Sequence, residues 1–266
     1  MAASLLRRLL AHPLTASLDL DDPATTVLRR QIIASKPFLK AIFDEWYTML
    51  AAGLPTGPGD VLELGSGAGH CAEFIPGLIA SDVFPLPGIQ VVVRAESLPF
   101  SADALRAIVM TNVLHHLPDV RVFFREACRC LRSGGKILMI EPWMTPWSRF
   151  VYSRLHHEPC FPSAVDWSVS SSGPLSGANV ALPWILFERD RPQFLTEFPE
   201  FVLEQVRPFL PFRYLLSGGV ALRSLMPGFT QPAWASLERA LQSQMPRLAM
   251  FAFLSIAKRG HNSVTC

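Results

Sequence analysis

Three kinds of residue in this chain of 266 residues stand where their side chains could do chemistry together: acids at the ends of apolar runs, paired histidines, and glycines at alternate positions. In Val61-Leu62-Glu63-Leu64-Gly65-Ser66-Gly67-Ala68-Gly69 an apolar run meets an acid and then a G-x-G-x-G turn. Glycine has no Cβ, so such a turn can take φ > 0 and let a small molecule lie on the backbone. Glu63, just ahead of it, can bind an amine or a hydroxyl. Asp82 comes roughly 20 residues later, the distance at which dinucleotide folds hold ribose hydroxyls, although their loop reads G-x-G-x-x-G. His115-His116 closes the segment that starts at Asn112, and His156-His157 precedes Glu158. A histidine titrating near 6.5 can take a proton from a hydroxyl at neutral pH. His115, His116, His156 and His157 are therefore the candidate bases, with Glu141 and Asp166 the candidate acids for work at an activated carbon. A His-His-Glu run could also hold a metal, but residues adjacent in sequence rarely point at one centre, so no metal is expected.

Secondary structure must bring these groups together. Residues 1–54 read as helices: Asp22-Pro23 looks like a helix start with proline at an early position, and apolar residues recur at helical spacing from Ile32 to Leu50. Strands are expected over 60–64, 79–83, 90–95, 105–111 and 136–141, and helices over 71–78 and 120–131. The second helix stops at Ser133-Gly134-Gly135, a C-cap signal. This alternation points to a parallel sheet covered on both faces. Residues 143–200 break the rhythm and are rich in Pro, Ser, Gly, Trp and His, with helical periodicity only over about 184–198. A run of that length inside a domain is usually functional or flexible, and it reads as an insertion roofing a pocket. Within it, Pro174-Leu175-Ser176-Gly177-Ala178-Asn179 offers small residues and amides suited to a tight loop. Residues 201–217 look strand-like, 234–245 helical, and 248–258 a final strand.

Half of the residues are hydrophobic and 17% are charged, so a large core is easily filled. No uninterrupted apolar run reaches the roughly 20 residues a bilayer span needs; the excess apolar content suits a greasy pocket or a peripheral contact surface. A net charge of +2 with scattered Lys and Arg argues against nucleic acid. The five cysteines, Cys71, Cys128, Cys130, Cys160 and Cys266, show neither zinc spacing nor an even-numbered framework and read as reduced thiols of a cytoplasmic protein. Leu-Leu-Arg-Arg-Leu-Leu within residues 1–12 reads as an amphipathic cap rather than an export signal.

Several of these segments together resemble the class I S-adenosylmethionine (SAM)-dependent methyltransferases, in particular the type 11 small-molecule group. The glycine loop with Glu63 resembles that family's first motif. Arg94-Ala95-Glu96-Ser97-Leu98-Pro99-Phe100 resembles its Asp-Ala-Glu-x-Leu-Pro-Phe segment, and Asn112-Val113-Leu114-His115-His116-Leu117 its Asn-x-Leu-His-His-Leu segment. The resemblance implies a Rossmann-like methyltransferase fold of the α/β class: a seven-stranded, mostly parallel sheet with helices on both faces, an N-terminal helical cap, and an insertion after the fifth strand. It implies that Glu63, Gly65, Ser66, Gly67 and Gly69 wrap the methionine part of SAM and that Asp82 holds the ribose. Arg94, Ala95 and Glu96 would then meet the adenine, while Asn112 and His115 border the sulfonium. Arg94 departs from the pattern: arginine has five donors and no acceptor, so it cannot take the adenine amino hydrogen as aspartate does. It either stacks on the ring, leaves the contact to backbone atoms, or weakens binding.

The expected organisation is a helical cap over 1–54, a SAM-binding core over 55–142, a lid forming the acceptor pocket over 143–200, and the rest of the sheet over 201–266. The implied activity is methyl transfer from SAM, yielding S-adenosylhomocysteine, to oxygen or carbon of a small, rather apolar biosynthetic metabolite. Peripheral membrane contact and a homodimer stay open. Arg94 and Arg106 motivate a second reading, a SAM-binding protein of the same fold that transfers no methyl group. A third, a NAD-dependent oxidoreductase, is opposed by the glycine spacing and by the Leu-Pro-Phe and His-His-Leu segments.

Overall fold

Aliphatic runs build the sheet. A computed structural model describes residues 22–67, 69–156, 158–170, 173 and 177–260. Its strands are β1 (Asp60–Leu64), β2 (Leu78–Asp82), β3 (Val91–Val92), β4 (Leu105–Thr111), β5 (Leu131–Pro142), β6 (Phe201–Phe209) and β7 (Phe251–Lys258). They form one sheet in the order β3-β2-β1-β4-β5-β7-β6. The first five are parallel to one another, and β7 runs antiparallel to both β5 and β6. This is the seven-stranded, mostly parallel Rossmann-like methyltransferase fold that the sequence implies. In β4, Ala107, Ile108, Val109 and Met110 are all fully buried. Successive strand residues point to opposite faces, so both faces of the sheet are covered. Chain order reverses between β1 and β4, and the crevice at the carboxyl ends of strands around such a switch point is where open α/β sheets take ligands.

Helix α1 (Pro23–Ser35) starts at the predicted place: the Asp22 carboxylate accepts a hydrogen bond from the Ala24 backbone N–H at 2.8 Å, with Pro23 in the first turn. Helix α2 (Pro37–Gly53) buries Phe38, Leu39, Ile42, Phe43, Trp46, Tyr47 and Leu50. The Trp46 ring stacks on Tyr214 with centroids 5.7 Å apart and also packs against Phe251. Between α1 and α2 the Lys36 ammonium donates to the carbonyls of Ser217, Gly219 and Leu222, and burial lowers its pKa to about 8. A second aromatic cluster surrounds Phe124 of α3 (Val120–Cys130): Phe187, Phe194, Phe198 and Phe201 all lie within 6.1 Å of it, centroid to centroid.

Several boundaries differ from expectation. Beyond residue 70 the chain makes one 3-10 turn, Cys71–Glu73, because Pro76 cannot donate and Gly77 takes φ +73°. The third strand keeps two residues of the expected six; a hydrogen-bonded turn at Arg94–Ser97 takes the chain out of the sheet. Ser133-Gly134-Gly135 is no helix cap. The helix already ends at Cys130, and these residues form an irregular start of β5, where Gly134 takes φ +72° and the register with β4 shifts. After β6 the chain turns at Leu210 (φ +58°) into a short helix, Arg213–Ser217, and the late helix spans Gln231–Ala240.

The segment after β5 opens with helix α4 (Pro146–Arg154), whose N-terminus is held by a Thr145/Ser148 capping box. It returns to the end of β4 repeatedly. The Asn179 N–H donates to the His115 carbonyl at 2.9 Å, and the Val169 N–H to the Pro118 carbonyl at 2.9 Å. Ser168 bridges Asp119, and Arg121 lies over the buried Trp167 ring at 4.4 Å. Cys71, Cys128, Cys130 and Cys160 are free thiols. The N-terminal 1–12 segment, His157, Pro174-Leu175-Ser176 and Cys266 lie outside the described residues. Among the described residues, no helix is long and apolar enough to cross a membrane.

Candidate active site

The glycine loop is fastened between β1 and β2. Gly65 and Gly67 take φ +67° and +31°. The Ser66 N–H donates to the Ser81 carbonyl at 2.8 Å, and the Ser66 hydroxyl donates to Glu63 Oε2 at 2.7 Å. The Gly67 N–H donates to Asp82 Oδ2 at 3.0 Å, and the Phe84 N–H to Asp82 Oδ1 at 3.1 Å. Neighbours come too close for side chains here. A Cβ on Gly65 would stand 2.5 Å from a Val113 methyl, and one on Gly69 would run into the Tyr47 hydroxyl. On Gly67 it would meet Thr26 and Asp82, so a valine there would press first on these side chains. Burial, with Asp82 adding to it, pushes Glu63 up to about 7; burial also raises Asp82.

The second cluster sits at the ends of β4 and β5. Asn112 takes φ +57° and turns the chain out of β4 into a 3-10 turn, Leu114–His116. Glu141, fully buried at the end of β5, fixes that turn. Its Oε1 accepts the Val113 and Leu114 N–H groups at 2.7 and 2.8 Å, and its Oε2 takes His115 Nδ1 at 2.7 Å. His115 Nε2 lies 3.4 Å from Glu158 Oε2, and His116 Nε2 lies 3.7 Å from Glu158 Oε1. His116 Nδ1 meets the Gly177 carbonyl at 2.9 Å. Burial opposes charge on His115, but Glu141 and Glu158 outweigh it and raise its pKa to about 9. Burial, together with His115, lowers His116 to about 4. The surrounding histidines, led by His115, overcome burial and hold Glu158 well below the usual carboxylate range.

One cavity of about 480 Å³ joins the two clusters, a size typical of ligand pockets. Glu63, Gly65, Ser66, Gly67, Gly69, Asp82, Arg94, Ala95, Glu96, Asn112, His115, His116 and His156 all line it. The Arg94 side chain is 63% exposed, its Nε 4.0 Å from Glu96, so it sits at the rim. Two candidate acids do not belong. Glu141 is saturated by its three partners and lies behind His115, so it positions that ring and does not reach the cavity. Asp166 is exposed and lines no part of it, because the buried neighbour that anchors its segment is Trp167. Sequence reasoning missed Thr26, Arg29, Tyr47, Tyr152, Tyr214 and Glu158, which also line the cavity. The first five carry no local signal. Glu158 was visible in the His-His-Glu run; its carboxylate meets His156 Nδ1 at 3.8 Å and also reaches His115 and His116, which lie far back in the chain.

Residues 62–139 match the family model described as "Methyltransferase domain". Over 100 residues the chain is 33% identical to the uncharacterized methyltransferase YcgJ of Bacillus subtilis (strain 168); the match covers 30% of this chain and 40% of that relative's length. The solved structure of YcgJ superposes with a TM-score of 0.47 at 16% identity, over 82% of this chain and 100% of that one. Geranyl diphosphate C-methyltransferase from Streptomyces coelicolor A3(2) superposes with a TM-score of 0.45 at 15% identity, over 94% and 89% of the two chains.

Proposed function

We propose that this chain, which carries a methyltransferase domain over residues 62–139, is a SAM-dependent methyltransferase acting on a small, largely apolar molecule with one oxygen function. The observation that carries the reading is the single cavity that runs from the glycine loop and its two acids to the histidine cluster. SAM, when bound, supplies an electrophilic methyl group on a sulfonium. The residues present fit it: the backbone of Gly65, Gly67 and Gly69 lines the cavity, and Glu63 and Asp82 line it as acceptors for an ammonium and for hydroxyls. Arg94 at the rim leaves adenine contacts to the backbone of Arg94-Ala95-Glu96.

The acceptor end combines apolar walls with the cluster and with two tyrosines, Tyr152 and Tyr214, near Glu158. Val151, Leu155, Leu215, Val220, Leu222 and Phe251 line it around His116, His156 and Glu158. An acceptor bearing one hydroxyl buries its hydrocarbon on those walls and directs the oxygen to the cluster. His116 keeps its Nδ1 hydrogen on the Gly177 carbonyl, which leaves Nε2 with a lone pair for that hydroxyl. Enclosure excludes water and aligns the reacting groups.

Calorimetric titration of the purified protein with SAM and with S-adenosylhomocysteine tests the cofactor, and release of S-adenosylhomocysteine over a panel of apolar alcohols, phenols and enols tests the transfer. Binding of neither ligand sinks the reading. Binding without turnover over the whole panel favours the non-transferring alternative that Arg94 motivates.

A further inference from the structure

We propose that His115, His116 and Glu158 form a site for one divalent transition-metal ion of the zinc class, open toward the acceptor end of the cavity. The site rests on the geometry of these residues; its part in methyl transfer rests on the function proposed above.

The ligand atoms already stand together. One ligand atom from each of His115, His116 and Glu158 lies within 4.8 Å of the other two; His115 Nε2 is 3.4 Å from Glu158 Oε2, and His116 Nε2 is 3.7 Å from Oε1. Ligands about 2.0–2.1 Å from a tetrahedral zinc are roughly 3.3 Å apart. A shift of a few tenths of an ångström would bring each nitrogen to that distance from the Glu158 carboxylate.

Both rings, when neutral, take the tautomer a metal needs. The Glu141 carboxylate and the Gly177 carbonyl are acceptors without a hydrogen to give, so each ring carries its hydrogen on Nδ1. In the neutral ring the lone pair is then on Nε2, and both Nε2 atoms face Glu158. A ligating histidine almost always gives its second N–H to a carboxylate or a backbone carbonyl, and this cluster has one of each. The charge also closes: two poorly exposed carboxylates, Glu141 and Glu158, balance a divalent ion held by two neutral rings. Two imidazoles and one carboxylate suit zinc, cobalt or iron rather than calcium or magnesium, which prefer oxygen. Three protein ligands leave a coordination position open, as catalytic sites require, and all three line the cavity.

With the ion bound, the His116 Nε2 lone pair is committed to the metal, and the ion instead of His116 would take the acceptor oxygen, in that open position, and lower the pKa of its O–H. The proton leaves to solvent. The oxygen lone pair then forms the new C–O bond as the S–CH3 bond breaks, so that S-adenosylhomocysteine and one proton are the co-products.

The test uses the full chain, stripped with a chelator and titrated with Co²⁺, then with Zn²⁺ as competitor. Expected are one equivalent of Co²⁺ per chain with visible d–d absorption of a low-coordinate N/O site, displacement by Zn²⁺, and at least tenfold weaker binding in His116→Ala and Glu158→Gln. Glu141→Gln, which removes a partner of the ligand, should weaken binding about 10- to 100-fold. Far-UV circular dichroism and S-adenosylhomocysteine titration report whether each variant is folded, and the wild-type titration decides even where one is not. Absence of saturable Co²⁺ binding to the wild type overturns the site, as does unchanged binding in folded His116→Ala and Glu158→Gln. Metal binding without SAM binding overturns the methyltransferase reading and leaves the site standing. SAM turnover without metal binding does the reverse.

Discussion

Glu63 couples cofactor affinity to pH in a way the structure makes quantitative. Its carboxyl is buried beneath the glycine loop, accepts the Ser66 hydroxyl, and titrates at about 7 because burial and Asp82 both oppose its charge. An ammonium beside it favours the ionised form, so binding must draw on that form. From a pKa of about 7, roughly three quarters of Glu63 is ionised at pH 7.5 but only about one part in thirty at pH 5.5. S-adenosylhomocysteine should therefore bind about 25-fold more weakly at pH 5.5, about 2 kcal/mol at 1.36 kcal/mol per pKa unit. Stability runs the other way. A carboxyl whose folded pKa lies above its unfolded value adds stability below the unfolded value and loses it as pH rises through the folded one, here between 4.5 and about 7. The full shift is worth about 3 kcal/mol. Between pH 4.5 and pH 8, Glu63→Gln should lose about 3 kcal/mol less stability than the wild type, while losing the pH dependence of binding. Calorimetric titration at both pH values and urea unfolding at pH 4.5 and 8 measure the two effects. Affinity independent of pH in the wild type, or a slope that survives in Glu63→Gln, would refute the reasoning.

Gly69→Ala puts a methyl group against the Tyr47 hydroxyl and should cost about 1–3 kcal/mol of stability as overpacking; Tyr47→Phe in the same chain should recover part of it, and thermal melts of the two variants decide. Lys36→Met leaves three carbonyls of the 217–222 segment without their ammonium. We expect a loss of about 1–3 kcal/mol and faster amide exchange confined to that segment; uniform acceleration across the sheet would contradict this. Asp166→Ala, on an exposed residue outside the cavity, should change stability by less than about 0.5 kcal/mol and leave turnover within twofold; a larger fall in turnover would return Asp166 to the site.

What could be read from the chain was local. The β1 strand, its acid and the glycine turn lie in ten consecutive residues, Asp60 to Gly69, and their spacing dictates the loop. The helix start at Asp22-Pro23 was equally legible, since capping acts over two residues. Glu141, at the end of an expected strand, and Asp166, in the expected lid, were equal candidates as acids. What separates them is that Glu141 meets two N–H groups and an imidazole from the neighbouring strand's end, whereas Asp166 meets solvent, and neither fact has a trace nearby in the sequence. Glu158 was passed over for a complementary reason: the His-His-Glu run shows its neighbour His156, but nothing near it in the sequence shows that the fold also brings His115 and His116 to the same carboxylate. The glycines at 134 and 135 were misplaced because a positive φ serves a strand irregularity as well as a helix cap.

The stitches between the segment after β5 and the end of β4 bear on how such a protein can diversify. Asn179 and Val169 hydrogen-bond the backbone of His115 and Pro118, and Gly177 fixes the His116 ring. A segment tied to the very turn that presents the histidines is not an interchangeable cassette. Transplanting residues 143–200 from a homologue would bring new pocket walls but lose the register of the turn, unless residues 112–119 travelled with them. New acceptors should thus be reached more readily by single changes on the apolar walls, at Val151, Leu155 or Leu215, than by exchange of the whole segment.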